Sequence, residues 1–436
     1  MKRFFSIITL LLCLSGVAVA QDIVSENSIT PRARIAPYHN ATLAQTHGGV
    51  VVKSQYLRTI DEWKRSEEGD ATLFTAQFTV PFSWLSRLSV VHVEGASGAY
   101  EVLVNGQKVG YTSNAFSPTE FDATKVTKQE GNTIQIRVLK NHWSQRLESF
   151  AVDKEPRVGE VYIMSQPTIY VRDVVHNTRV EPSINQVNVV LGFVVKTESL
   201  NPKRARIHYE IIDADTTMLT YGHQDVVLEM KGEDTVKVMT PIPSDKVWSS
   251  ENPVRYRVNL KTQIEGRYVD YQTHLIGFRD LYHENGNIYV NGVKTDLNVK
   301  DVDARTLTAK DIEAARDSKY NAVRFLNAGA SHELYRMCDS LGMYVVAQVP
   351  INTRNSGVSR KVDGNESNNP EWRDAFVERA EKCYYTTRNY ACVVAYQLAN
   401  DSSNGINLYE SYLRLKELES KRPVVYLDGG GEWNND

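Results

Sequence analysis

Four short apolar runs separated by helical stretches, between residues 321 and 427, most constrain what this chain can fold into. The runs are NAVRFL (321–326), YVVAQV (344–349), VVAYQL (393–398) and PVVYL (423–427). Between the first two, Leu334, Met337, Cys338 and Leu341 recur at helical spacing, and Gly342 suits the residue after a helix end. Between the second and third, Asn369 precedes Pro370 at a helix start, with Trp372, Phe376 and Ala380 on one face. Continuous apolar strands alternating with helices predict a parallel sheet buried on both faces. A further unit precedes them, NIYVNGVKTDLNV (287–299) followed by LTAKDIEAARDSK (307–319), with Thr308 as helix cap.

Upstream, the pattern changes to alternating strands. FTAQFTV (74–80), LSVVHVEG (88–95) and NTIQIRVL (132–139) alternate, and residues 100–111 form a hairpin closed by Asn105-Gly106, predicting a first β-sandwich over 21–166. Short alternating strands continue at regular spacing through 167–280 and predict a second, immunoglobulin-like sandwich. The third domain, 281–436, holds the parallel sheet. A length of 436 residues accommodates three such cores.

Composition narrows the function classes. Lys2 and Arg3, an apolar run through Leu14 and Ala18-Val19-Ala20 before Gln21 read as a secretory leader over residues 1–20. The rival, a lipid anchor on Cys13, needs a small residue before that cysteine, and Leu12 is not small. The expected location is the periplasm, cell surface or extracellular space. Loss of Lys2 and Arg3 moves the formal charge from −3 to −5, against a nucleic-acid partner. No other run approaches the ~20 apolar residues of a membrane span. Cys338, Cys383 and Cys392 are an odd set, not a disulfide framework, and no His or Cys sits at zinc-ligand spacing, so no metal or other cofactor is expected.

Three stretches carry a family resemblance. YRMCDSLGMYVVAQ, residues 368–405 and KRPVVYLDGGG resemble the (β/α)₈ domain of glycoside hydrolase family 2, particularly its bacterial β-galactosidase branch. VNGQKVGYTSNAFSPTEFDATKV (104–126) resembles the family's N-terminal jelly roll, and WSSENPVRYRVNL (248–260) with IGFRDL (276–281) its immunoglobulin-like domain. The resemblance implies a jelly-roll sandwich, an immunoglobulin-like sandwich and a partial barrel of about five strands. It also implies that the jelly roll lends the barrel's active face a loop, here 141–163, whose Trp143 and His142 could stack on a sugar. Trp248 is implied to be a corner packing residue.

Retaining glycosidases use two carboxyl groups ~5–5.5 Å apart. By the resemblance, the acid/base is the Glu of G-N-E-S at the fourth strand end, where this chain reads Ala399-Asn400-Asp401-Ser402. Asn400 is kept, and Asp401 would carry the acid on a stem shorter by one methylene, a displacement of a kind that can cost ~10²-fold. The nucleophile belongs to a seventh strand, whereas this sequence reads through five. The other strand-end motifs are replaced by Leu297-Asn298-Val299-Lys300-Asp301-Val302-Asp303 after the first strand, by Val323-Arg324-Phe325-Leu326-Asn327-Ala328-Gly329 and by Ala347-Gln348-Val349-Pro350; of the sugar-binding set Arg324 persists. Asp401 also reads as an N-cap for the helix beginning INLYES. Asp428 and Glu432 are the candidate second carboxylates, in a tail that reads as flexible.

The expectation is a catalytically inactive relative that binds glycan or protein, with Asn400, Arg324 and Trp143 as substrate contacts. The alternative is an active β-galactosidase-type hydrolase using Asp401. An open strand edge at 424–427 is expected to dock a protein partner or a second copy.

Overall fold

A computed structural model describes residues 24–50, 54–151, 155–181, 186–304, 306–327, 331–429, 432 and 434–436. The leader expected at residues 1–20 lies outside them. The first sandwich packs a six-stranded sheet against a four-stranded one. Asn132–Leu139 shows why, since every second residue is buried and the strand turns one apolar face inward. The hairpin closes at Asn105-Gly106 with φ of 53° and 76°, the left-handed pair that a two-residue primed turn requires. The second sandwich has sheets of three and four strands around Val187, Val189, Leu191, Phe193 and Val258.

A short antiparallel meander, Leu281–Glu284, Asn287–Val290 and Val293–Thr295, follows. It uses two more Asn-Gly turns, Asn285-Gly286 and Asn291-Gly292, all four residues left-handed. Then comes the parallel sheet, β1 Val299–Asp303, β2 Ala322–Leu326, β3 Tyr344–Gln348, β4 Val393–Gln397 and β5 Val424–Val425, paired in that order. The connections carry α1 Ala309–Asp317, α2 His332–Leu341, α3 Arg373–Thr387 and α4 Ile406–Leu418. The first strand is therefore VKDVD, and the run NIYVNGVKT belongs to the meander beneath it. Residues 299–303, expected to follow that strand, are the strand itself.

The helix signals act as read. Thr308 and Asp311 form a capping box, with Thr308 N–H donating to Asp311 Oδ2 at 2.8 Å. Asn369 caps a 3₁₀ turn at Pro370–Trp372 that leads into α3. Gly342 closes α2 at φ 69°, and a Cβ there would lie 2.1 Å from Ser250 O. Trp248 is fully buried and donates to Asp339 O at 2.9 Å, tying the second sandwich to α2.

The edge at β5 is not open. Asp436 N–H donates to Val424 O at 3.0 Å, Val424 N–H to Asp436 Oδ2 at 2.8 Å, and Tyr426 N–H to Asn435 Oδ1 at 3.2 Å. The tail expected to be flexible thus occupies the main-chain groups that a docking strand would use. The inward faces of the five strands instead border a cavity of about 330 Å³, mostly apolar through Val299, Val346, Ala395 and Val425 but with Asp301 and Arg324 also in its wall. No helix among the described residues is long and apolar enough to cross a membrane.

Candidate functional site at the barrel rim

The carboxyl ends of β2, β3, β4 and β5 meet at one rim, the end at which barrels of this type place their chemistry. A chain of amides climbs to it from the sheet interior. Arg324, on β2, is held by Asp301 at 2.7 and 2.6 Å and donates to Gln397 Oε1 at 2.8 Å. Gln397 donates to Gln348 Oε1 at 3.4 Å, and Gln348 donates to Asn400 Oδ1. Asn400 Nδ2 in turn reaches Asn327 Oδ1 and Asp401 Oδ2, each at 3.2 Å. Four barrel strands are cross-linked this way, Asp301 accepting, Arg324 donating and the amides doing both.

Two of the expected sugar contacts are therefore wall residues. Arg324 sits inside β2, neutralised by Asp301, and Asn400 is 6% exposed with its amide engaged on three neighbours. Trp143 packs edge-on against Trp372, with ring centroids 5.2 Å apart, in the seam between jelly roll and α3. His142 is held by Ser144 and Tyr111, both at 3.0 Å. Neither ring is presented as a bare stacking platform.

Asp401 is exposed, with left-handed backbone at φ 48°. The helix it was expected to cap begins at Ile406 with Gly405 at the N-cap, so Asp401 is a rim residue and not a cap. Its Oδ2 accepts from Asn352 at 3.3 Å as well as from Asn400, and its N–H donates to Asp428 Oδ2 at 2.8 Å. Asp428 thus lies beside Asp401, fixed by a main-chain hydrogen bond. Glu432 is paired with Arg360 at 2.5 Å and accepts from Asn404 at 2.9 Å.

The jelly roll contributes to this rim. Asn352 N–H donates to Leu147 O at 2.8 Å, Ser149 N–H to Asn352 O at 3.0 Å, and Arg146 pairs with the buried Glu366. Residues 144–149 of the loop expected to be lent to the barrel therefore run beside Asn352, the neighbour of Asp401. Sequence reasoning missed Asn327, Asn352 and Gln397 as members of the site. Their signal was a polar residue at or just past an apolar strand end, which is also how a solvated loop begins. Among the described residues no group of three or more His, Cys, Asp or Glu is placed to hold a metal ion.

Two sandwiches followed by a parallel βα sheet with a polar carboxyl-end rim define a glycoside-hydrolase architecture. Sequence models of one family cover the chain almost end to end: the sugar binding domain of glycosyl hydrolases family 2 matches 35–180, the family's central model 169–279 and its TIM barrel domain 280–435. The chain belongs to glycosyl hydrolases family 2. It is 25% identical over 386 residues to a beta-galactosidase of Psychromonas ingrahamii, covering 83% of this chain and 36% of that protein. It is 27% identical over 381 residues to a beta-galactosidase of Pseudoalteromonas haloplanktis, covering 82% and 35%. The chain thus spans about a third of the length of these relatives. Among solved structures it resembles a beta-D-glucuronidase of Dictyoglomus thermophilum (TM-score 0.70, 16% identity, 86% of this chain and 73% of that one). It also resembles a family 2 member from Bacteroides cellulosilyticus (TM-score 0.68, 18% identity, 82% and 50%).

Proposed function

We propose that this chain is a secreted sugar-binding member of the family that does not hydrolyse glycosides through Asp401. The observation that carries the reading is the amide ladder ending at Asn327, Asn400 and Asn352. Asn400 and Asn352 are buried with their amides engaged, so the ladder fixes the shape of the rim and presents the exposed Asp401 carboxylate to a sugar hydroxyl. The amides supply neither a proton donor nor a nucleophile. Asp401, in the place where the family resemblance puts a Glu, is committed to Asn352, Asn400 and Asp428. β-Galactosides are the first ligands to try, because the curated relatives are named beta-galactosidases. The test is calorimetric titration of galactosides into the full chain, repeated with Gln348→Leu, which breaks the ladder. Binding that is lost in the variant supports the reading, and binding unchanged by it sinks the site.

The hydrolase reading has one observation in its favour, the placement of Asp428 against Asp401, since two neighbouring carboxylates are what the reaction needs. Turnover of an aryl β-galactoside that vanishes in Asp401→Asn would establish it. Docking of a protein partner or a second copy on the open side of the sheet is proposed through the apolar cavity, because the tail occupies the strand edge.

A further inference from the structure

On the opposite side of the barrel from the rim, the second sandwich meets the ends of α3 and α4 around a cavity of about 260 Å³. Its lining is strongly cationic. Arg279, Arg388, Lys421 and Arg422 face it, with Glu419 as the acidic residue of the lining. Arg422 is paired with Glu419, Arg388 with Asp173 at 2.5 Å, and Lys421 with Asp280 at 3.5 Å. Arg279 differs: 7% exposed, it donates to the carbonyls of Ala391 and Val393 and among the described residues is in no ion pair. Burial and the neighbouring Arg422 push its guanidinium down to about 10.

A second observation is independent of charge. Thr178 is 2% exposed and belongs to the cavity lining, yet its Oγ1 has no hydrogen-bond partner among the described residues. Among the described residues the buried Nε of Arg388, another residue of the lining, also lacks a partner. Unmet buried polar atoms are costly, and their gathering around one cationic cavity calls for a shared partner rich in acceptors.

We propose that this cavity binds a tetrahedral oxyanion, a sulfate or phosphate group either free or esterified to a saccharide. Such a group offers acceptors in several directions at once, matching guanidinium, ammonium and hydroxyl donors carried by different elements of the lining. Chloride has one atom and no such geometry. The site shares no lining residue with the rim.

The test is thermal unfolding and calorimetry of the full chain in sodium sulfate, sodium phosphate and sodium chloride at equal ionic strength, followed by a sulfated disaccharide and its desulfated parent. Sulfate or phosphate should stabilise and bind where chloride does not. An ester binding at least tenfold more tightly than the free ion assigns the site to a saccharide, and equal affinity assigns it to the ion. Thr178→Val is the informative variant. Removing an unpartnered buried hydroxyl should leave the anion-free protein as stable or more so, while weakening anion affinity several-fold; Lys421→Ala should weaken it about tenfold. Stabilisation that tracks ionic strength alone, or anion affinity unchanged in both variants, overturns the proposal.

Discussion

Gly342 and Gly106 both adopt left-handed backbone, at φ 69° and 76°, and differ in what surrounds them. A Cβ at Gly106 meets nothing within 4 Å, so Gly106→Ala should cost only the conformational term of about 1 kcal/mol. At Gly342 the same Cβ would strike the Ser250 main chain, so Gly342→Ala should cost about 3 kcal/mol or more in urea unfolding. Equal effects at the two positions would contradict the packing described for α2. His176 sets a pH dependence. Burial, then Arg422, Arg279 and Arg388, hold it down to about 3, whereas an unfolded histidine titrates near 6.5. The unfolded chain therefore takes up the proton first, and His176's contribution is complete above pH 6.5 and declines as pH falls. Between pH 6.5 and 5 the loss should reach about 2 kcal/mol. Asp270, raised to about 7 by burial, acts in the opposite direction over the same range. Comparison of wild type with His176→Phe cancels that background, and the variant should show the shallower decline toward pH 5.

At the scale of elements, α3 fastens the jelly roll to the barrel. Arg379, fully buried, reaches Glu148 at 2.8 Å and Ser113 O at 2.9 Å, and Lys382 reaches Thr119 at 3.0 Å. Arg379→Met leaves Glu148 buried and unpaired and should cost about 3–5 kcal/mol, while the double change with Glu148→Leu should recover most of it. A double variant no better than the single one would mean that the pair is not what holds the seam. The elements legible in the sequence were those fixed by neighbours along the chain: the Asn105-Gly106 turn, the Thr308 cap and the αL stop at Gly342. Those misread depend on distant residues. VKDVD was expected to follow the first strand; it is β1 itself, with Asp301 neutralised by Arg324 one strand away. Asp401 looked like a cap, but α4 starts at Ile406, after Gly405 passes so close to Ser367 that a Cβ would lie 2.4 Å from its carbonyl. The rim amides were hidden for the same reason, since Gln348, Gln397 and Asn400 become a set only when β3 and β4 pair.

Across the whole molecule, the two sandwiches and the barrel sheet form one continuous support for the rim, with the jelly-roll loop bonded to Asn352 and the tail bonded to β5. Strand-to-strand association is disfavoured at both sheet edges, by the tail on β5 and by Lys300, Asp301 and Asp303 in β1. If the chain assembles, Val346→Asp in the apolar cavity should shift it toward monomer in light scattering, and assembly indifferent to that change would exclude the cavity as the contact. The central claim is that the rim recognises sugar without cleaving it through Asp401. It is tested most directly by following 4-nitrophenyl β-galactoside with wild type and Asp401→Asn, measuring binding and nitrophenol release on the same samples. The account predicts binding by the wild type and release no greater than that of the variant. Release by the wild type that disappears in Asp401→Asn would contradict it.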